Sequence, residues 1–232
     1  MRVFHSTSQE RLTSDTNLSA SYDPYQSLAQ GLKLGDAVNG LLLLHPRRRI
    51  AQLLKGQRVL DVCCGTGNLT AMLVAVGCQA VGVDSSPTML SYAQRKRIAA
   101  EFQLMDATCL PFNREFDAAV ISIALHEMPP HVREKVWTSM RRAVRPQGRL
   151  IAIDYTVPRT TSLLARIMRS LVERDERSLL TIHREHYENF QEFMRNGGLR
   201  AWIQERSEAV ETEYDFWGGT VAAVICRRFE SD

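Results

Sequence analysis

Val59-Leu60-Asp61-Val62-Cys63-Cys64-Gly65-Thr66-Gly67-Asn68-Leu69-Thr70 decides how the rest of this 232-residue chain is read. The stretch opens as a short apolar run and bends through two glycines. It then enters a pattern in which Leu69, Met72, Leu73 and Val76 share one helical face, with Gly77 as the stop. Such a pattern predicts strand, tight loop and helix. Small residues at a bend of this kind let the backbone approach a ligand closely. The first N–H groups of the helix then point at whatever sits there.

A dinucleotide fingerprint asks for Gly-x-Gly-x-x-Gly. Here Gly65 and Gly67 are followed by Thr70 where the third glycine would stand, which disfavours a nucleotide-dependent oxidoreductase. Asp61 lies upstream of the glycines, at the mouth of the expected pocket. A carboxylate there repels phosphate and attracts cations. S-adenosylmethionine (SAM), with its ammonium and sulfonium, meets that condition.

Outward from this stretch, acidic residues recur at the ends of apolar runs. Ala80-Val81-Gly82-Val83-Asp84 predicts a second strand, and Asp84 falls where a ribose hydroxyl pair is usually held. Ser85-Ser86-Pro87 then predicts a helix start, with Met89, Tyr92 and Ala93 on the inner face. Ser85 and Met89 are close enough in sequence to Asp84 to join the same pocket, Met89 against an adenine. A third strand, Phe102 to Met105, leads to Asp106-Ala107. An acid there accepts from an adenine amino group, and the following N–H donates to a ring nitrogen.

The fourth run, Phe116 to Ile123, is almost continuously apolar, as in a strand covered on both faces. Ser122 at its end is counted with the cofactor residues. The chain continues into Ala124-Leu125-His126-Glu127-Met128-Pro129-Pro130, at the carboxyl end of a central strand. His126 is the candidate general base there, with Glu127 as its orienter. The alternative is that His126 only hydrogen-bonds the loop. A helix from His131 to Val144, with Val132, Val136, Met140 and Ala143 inward, is broken by Arg145-Pro146-Gln147-Gly148. Arg149 to Tyr155 reads as the fifth strand. Five strands with intervening helices predict a doubly wound parallel sheet.

The flanks are less patterned. Tyr25 to Leu54 reads as helices that fold over the pocket as a lid or pack on the sheet. Residues 160–196 hold two more helical stretches. Leu163, Leu164, Ile167, Met168, Leu171 and Val172 form an apolar stripe, with burial against the sheet favoured over lying on a membrane surface. His183 and His186 have metal-binding spacing, but no cysteine or carboxylate pattern completes a set, so no metal is expected. Leu199 to Glu205 and Thr220 to Cys226 read as two strands closing the sheet as an antiparallel edge hairpin.

Composition is that of an ordinary soluble globular domain, 44% hydrophobic and 24% charged. A formal charge of +3 is too small to point to nucleic acid, and Arg47-Arg48-Arg49 reads as a solvated helix face. Five cysteines without a secreted-scaffold spacing suggest reduced thiols in a cytoplasmic protein. No apolar run is long enough to span a bilayer.

Four stretches in order resemble the class I SAM-dependent methyltransferases: Asp61 to Gly67, Val81 to Asp84, Asp106 to Phe112, and Val144 to Leu150. Within that class the chain is similar to the ubiquinone/menaquinone-biosynthesis methyltransferases and their small-molecule relatives. Cys64-Gly65-Thr66-Gly67, Leu110-Pro111-Phe112 and Tyr22-Asp23 carry that likeness. Two departures stand out. Cys63 replaces the usual first glycine, which demands an ordinary backbone angle, and Ala124 to Pro129 is unlike the quinone enzymes' segment.

The resemblance implies a Rossmann-like, mostly parallel seven-stranded sheet in one domain. It would comprise an N-terminal helical lid (1–54), a SAM-binding core (55–157), a helical insertion (158–198) and C-terminal strands (199–232). It implies SAM as methyl donor, S-adenosylhomocysteine as product and a small, hydrophobic or aromatic acceptor. A phospholipid or small acid as acceptor, a peripheral membrane contact, and a non-catalytic SAM-binding protein stay open. The expected cofactor residues are Tyr22, Asp61, Cys63, Cys64, Gly65, Gly67, Asp84, Ser85, Met89, Asp106, Ala107 and Ser122.

Overall fold

Seven strands form a single sheet in the order β3-β2-β1-β4-β5-β7-β6. The computed structural model describes residues 42–178, 184–206 and 208–229. Tyr22, most of the N-terminal lid and His183 lie outside these residues. The parallel part comprises β1 (Arg58–Val62), β2 (Gln79–Asp84), β3 (Glu101–Leu104), β4 (Phe116–Ser122) and β5 (Val144–Tyr155). β7 (Val221–Arg227) runs antiparallel between β5 and the edge strand β6 (Val210–Phe216).

β1 and β4 are buried on both faces, and the core divides accordingly. One apolar cluster contains Leu60, Val62, Ile121, Trp137 and Met140. The other contains Ile50, Leu54, Val59, Val120 and Phe190. Helices α1 (Leu44–Leu53), α2 (Asn68–Ala75), α3 (Pro87–Arg95) and α4 (Pro130–Ala143) cover the parallel strands. The serine cap of α3 is Ser86, whose hydroxyl accepts from the Met89 N–H at 3.1 Å. Its buried residues are Leu90 and Ala93, with Met89 and Tyr92 half-buried.

After β5 come α5 (Leu163–Ser178), α6 (Arg184–Arg195) and α7 (Gly198–Glu205). Two expectations fail here. Leu199 to Glu205 is a helix, and the first strand of the edge hairpin is Val210–Phe216. Leu199, Trp202 and Ile203 are the buried positions, a helical spacing that places all three on one face. Most of the apolar stripe of α5 is also exposed, with Met168 buried and Val172 half-buried. Leu163, Leu164, Ile167 and Leu171 are 71%, 50%, 49% and 51% exposed. Ala165, Met168 and Glu176 are the buried positions of α5 instead. They recur every three to eight residues on one seam, and the leucines lie on the opposite side of the helix.

Among the described residues no helix is long and apolar enough to cross a membrane.

Candidate active site

The tips of β1, β2 and β3 are neighbours, so the three aspartates predicted from sequence come together along one edge of the sheet. The loop between β1 and α2 bends sharply there. Cys63, Gly65 and Gly67 take φ of +54°, +54° and +74°. The angle at Cys63 is therefore not the ordinary one expected. A left-handed non-glycine residue is uncommon and strained, and local hydrogen bonds fix it. Cys64 N–H donates to Val83 C=O at 3.0 Å and Gly67 N–H to Cys64 C=O at 2.9 Å. At Gly67 a Cβ would fall 2.9 Å from the Phe102 ring, whereas at Gly65 it would meet nothing within 4 Å. Gly65 thus opens the bend toward free space, as close approach of a ligand requires.

Asp84 organises this bend. One carboxylate oxygen accepts from Gly65 N–H at 2.8 Å and the other from Ser86 N–H at 2.9 Å. Ser85 itself is exposed beside them. Asp106 is exposed, and one of its oxygens accepts from Thr108 N–H at 2.8 Å, starting the short 3-10 turn Ala107–Cys109. Asp61 sits deeper, only 1% exposed, and the Thr70 hydroxyl donates to it at 2.6 Å. The residue standing in place of the third glycine therefore anchors the acid that distinguishes this loop. Burial pushes the Asp61 carboxyl up to about 6, against the Thr70 hydrogen bond and the Arg47 charge.

The crevice carries negative potential. Burial, and then the carboxylates of Asp84, Glu127, Asp61 and Asp106, push the Cys63 thiol well above its ordinary range. Burial, Asp61 and Asp84 push the Cys64 thiol in the same direction. Both sulfurs are neutral thiols at physiological pH. Four carboxylates acting on one atom make a surround that suits a cationic adenosyl donor and opposes a pyrophosphate. The residues present therefore fit SAM.

Arg47 was not singled out by its sequence context. It projects from α1 and donates through Nε to the Ser122 hydroxyl at 3.1 Å, above the tips of β1 and β4. Its neighbours Arg48 and Arg49 are exposed, as the solvated-face reading expects.

Beyond β4 the chain turns through Ile123 at φ +55°, an outlier for a β-branched residue. The strained turn delivers His126 and Glu127 on a short 3-10 segment, Leu125–Glu127. His126 is fully buried. Its Nδ1 lies 2.7 Å from Asp154 Oδ1. Asp154, also fully buried, further accepts from the N–H groups of Leu125, His126 and Tyr155 at 2.9, 3.3 and 2.7 Å. The orienting carboxylate is thus Asp154, not Glu127, which is 3.9 Å from the other ring nitrogen. Burial opposes charge on His126, but Asp154 and Glu176 outweigh it and raise its pKa well above the usual histidine range. An imidazole that keeps its proton and has no access to solvent does not fit the expected general base.

Sequence reasoning also missed Asp154, although it follows the same rule as the other three acids: a carboxylate at a parallel strand's carboxyl end. Glu176 carried no such signal.

Residues 59–148 match the family described as "Methyltransferase domain". An uncharacterized methyltransferase of Synechocystis sp. is 38% identical over 104 residues, 44% of this chain and 49% of the relative. A demethylmenaquinone methyltransferase of Renibacterium salmoninarum is 34% identical over 131 residues, 53% of this chain and 54% of the relative. The chain thus spans about half the length of the curated relatives it matches. Among solved structures, an O-methyltransferase family protein from Burkholderia thailandensis aligns with TM-score 0.62 at 17% identity. That alignment covers 91% of this chain and 64% of that one. A protein from Pyrococcus horikoshii aligns with TM-score 0.57 at 19% identity, covering 90% and 92%. At these identities the structural likeness concerns the fold.

Proposed function

We propose that the chain, whose residues 59–148 match the methyltransferase-domain family, is a class I SAM-dependent methyltransferase that transfers the methyl group of SAM to a small apolar or aromatic acceptor. The observation that carries this reading is the acid-walled crevice at the tips of β1, β2 and β3, opened by the bend at Gly65. Bound SAM supplies a methyl group on an excellent leaving group, so the protein's task is to align the acceptor and exclude water.

The roles follow from position. Asp84 keeps acceptor capacity for ribose hydroxyls, because each carboxylate oxygen has two lone pairs and its two oxygens share the backbone N–H groups of Gly65 and Ser86. Asp106 and the Ala107 N–H read the adenine, and Met89 packs beside it. Gly65, Gly67, Cys63 and Cys64 border the methionine part. Asp61 balances its ammonium from below, and Arg47, held at Ser122, faces its carboxylate. Tyr22 belongs to the same proposal as a residue closing the top. His126 positions the loop rather than moving a proton.

A cavity of about 250 Å³ beyond β5 suits the acceptor. Tyr155, Val172, Tyr187, Phe190 and Met194 give it an aromatic, apolar wall, with Arg169 and Arg195 at its edge. β1 and β5 flank β4, so the cofactor crevice and this cavity are separated by two strand spacings, about 10 Å. A flat ring system bridges that distance. The relatives named as demethylmenaquinone methyltransferases support a quinol-like ring.

The test is calorimetric titration with SAM and S-adenosylhomocysteine, then turnover with a reduced naphthoquinone that lacks a ring methyl. We expect binding of both nucleosides, formation of S-adenosylhomocysteine with the quinol, and affinity lowered about 30-fold or more in Asp84→Ala. SAM binding without turnover on any aromatic acceptor would identify a non-catalytic SAM-binding protein. Binding of NAD in preference to SAM would overturn the reading.

A further inference from the structure

Four segments far apart in the sequence converge under the lid helices. His126 and Glu127 come from the turn after β4, Asp154 from β5, Glu176 from the end of α5 and His186 from the start of α6. The His126 ring is 1% exposed, and its Nε2 has no hydrogen-bond partner. That nitrogen faces Glu176 Oε1 at 3.4 Å and Glu127 Oε1 at 3.9 Å. His186 Nε2 faces the same two carboxylates, 3.1 Å from Glu176 Oε2 and 3.8 Å from Glu127 Oε1. One ligand atom from each of His126, Glu127 and His186 lies within 4.8 Å of the others.

We propose that His126, Glu127 and His186 form a binding site for one divalent transition-metal ion of the zinc type, with Glu176 beside both imidazoles. In a tetrahedral site with bonds of about 2.0–2.2 Å, neighbouring ligand atoms stand roughly 3.3–3.6 Å apart. Glu127 Oε1 stands 3.9 and 3.8 Å from the two imidazole nitrogens, near that value with one and the same oxygen. Glu176 meets the two rings through different oxygens, Oε1 at 3.4 Å and Oε2 at 3.1 Å, and lies beside the set. Two imidazoles and a carboxylate are a borderline donor set that favours zinc over calcium or magnesium, which want oxygen alone. Glu127 and Glu176 also balance the charge of the ion.

The surroundings are built to hold such a site. The four donors around Asp154 require His126 to present its Nδ1 proton to that carboxylate. Nε2 is left pointing at the cluster, which is the second-shell arrangement that orients a metal-ligating histidine. The metal takes the place of a proton on Nε2. The turn itself is pinned by neighbouring helices. Arg133 Nε donates to the carbonyls of Leu125 and Met128 at 2.9 and 2.8 Å, and Asn189 Nδ2 donates to that of Glu127 at 2.8 Å. A chain of hydrogen bonds without metal explains the His186–Glu176 contact. It gives the buried His126 Nε2 only an ion pair with Glu176 at 3.4 Å and no well-formed hydrogen bond. A metal here ties α5 and α6 to the end of β4. Both helices line the cavity beyond β5, so the metal fixes its shape.

The experiment uses the full chain, stripped with a chelator, dialysed and titrated with zinc sulfate by calorimetry. Thermal melts accompany the titration, and cobalt(II) replaces zinc for visible spectroscopy. We expect one equivalent of zinc, a raised melting temperature, and the visible bands of four-coordinate cobalt without a thiolate charge-transfer band. Affinity should fall by more than about tenfold in His186→Gln and in Glu127→Gln. Both are partly exposed positions, and circular dichroism will show whether each variant keeps its fold. Three results would overturn the proposal: no stoichiometric zinc, zinc affinity unchanged in folded His186→Gln, or a thiolate band that assigns the metal to the cysteines.

Discussion

The crevice at the tips of β1, β2 and β3 and the cluster at the tips of β4 and β5 are both built on strand-end aspartates, yet they do different work. Asp84 is half-buried and accepts from the backbone N–H groups of Gly65 and Ser86 in the adjoining turns. Its oxygens can still accept from a ligand. Asp154 is fully buried, and its carboxylate is saturated by four donors, three of them 28 or 29 residues away in sequence. On the proposed function the first acid belongs to a binding surface. The second is an internal brace that ties the catalytic-side loop to the sheet.

That contrast can be broken directly. Asp154→Ala leaves three N–H donors and a buried charged imidazole without their acceptor. Removing one partner of such a buried pair costs about 3–5 kcal/mol. This is a large share of the 5–15 kcal/mol typical of a whole domain. The midpoint of urea unfolding should fall accordingly, whereas Asp84→Ala should lose SAM and shift the midpoint far less. Equal destabilisation by the two substitutions would abolish the distinction between surface and brace.

Asp61 lies between the two cases, since it faces the crevice but is buried like the brace. Its carboxyl rises from 3.8 to about 6 because burial disfavours the charged form. The sign of the linkage follows. The folded chain holds this proton more tightly than the unfolded chain, so stability falls as pH rises from about 4 to 6 and is level above that. The deficit above pH 6 is about 3 kcal/mol. Asp61→Asn keeps an acceptor for the Thr70 hydroxyl and removes the cost. We expect it to be more stable than wild type above pH 6, by up to about 3 kcal/mol, and to have lost that advantage by pH 4. We also expect weaker SAM binding. Denaturation midpoints at pH 4, 6 and 8 decide it, and a variant less stable at pH 8 would refute the burial argument.

The same contrast explains what could be read from the sequence. Asp61, Gly65, Gly67, Asp84 and Asp106 announce themselves because their geometry is local: each stands at a strand end, and its bend or helix follows within a few residues. The doubly wound sheet and one strand of the antiparallel edge, Thr220 to Cys226, were legible for the same reason, through short apolar runs and turn residues. The brace was not. His126 was visible, but its partners Asp154, Glu176 and His186 come from β5, α5 and α6, and no spacing rule joins them. Arg47 hid in a run of three arginines, of which only tertiary packing picks out one. Leu199 to Glu205 misled because a short apolar run fits strand and helix alike, and Trp202 and Ile203 settle the matter only by where they are buried.

α5 offers the smallest test, on the lid that closes over the brace. Its sequence suggested an apolar stripe of Leu163, Leu164, Ile167, Met168, Leu171 and Val172 buried against the sheet, yet Ile167 is 49% exposed and Met168 beside it only 9%. Adjacent positions on a helix differ by about 100°, so one of the two is buried while the other faces out. Met168→Ala removes buried volume and should cost about 2 kcal/mol or more. Ile167→Ser exchanges one exposed side chain for another and should stay within about 0.5 kcal/mol. Paired denaturation curves separate the two residues. Equal losses would mean that the outer face of α5 is covered in solution, and that the lid has a second packing surface beyond the one it presents to His126 and Glu127.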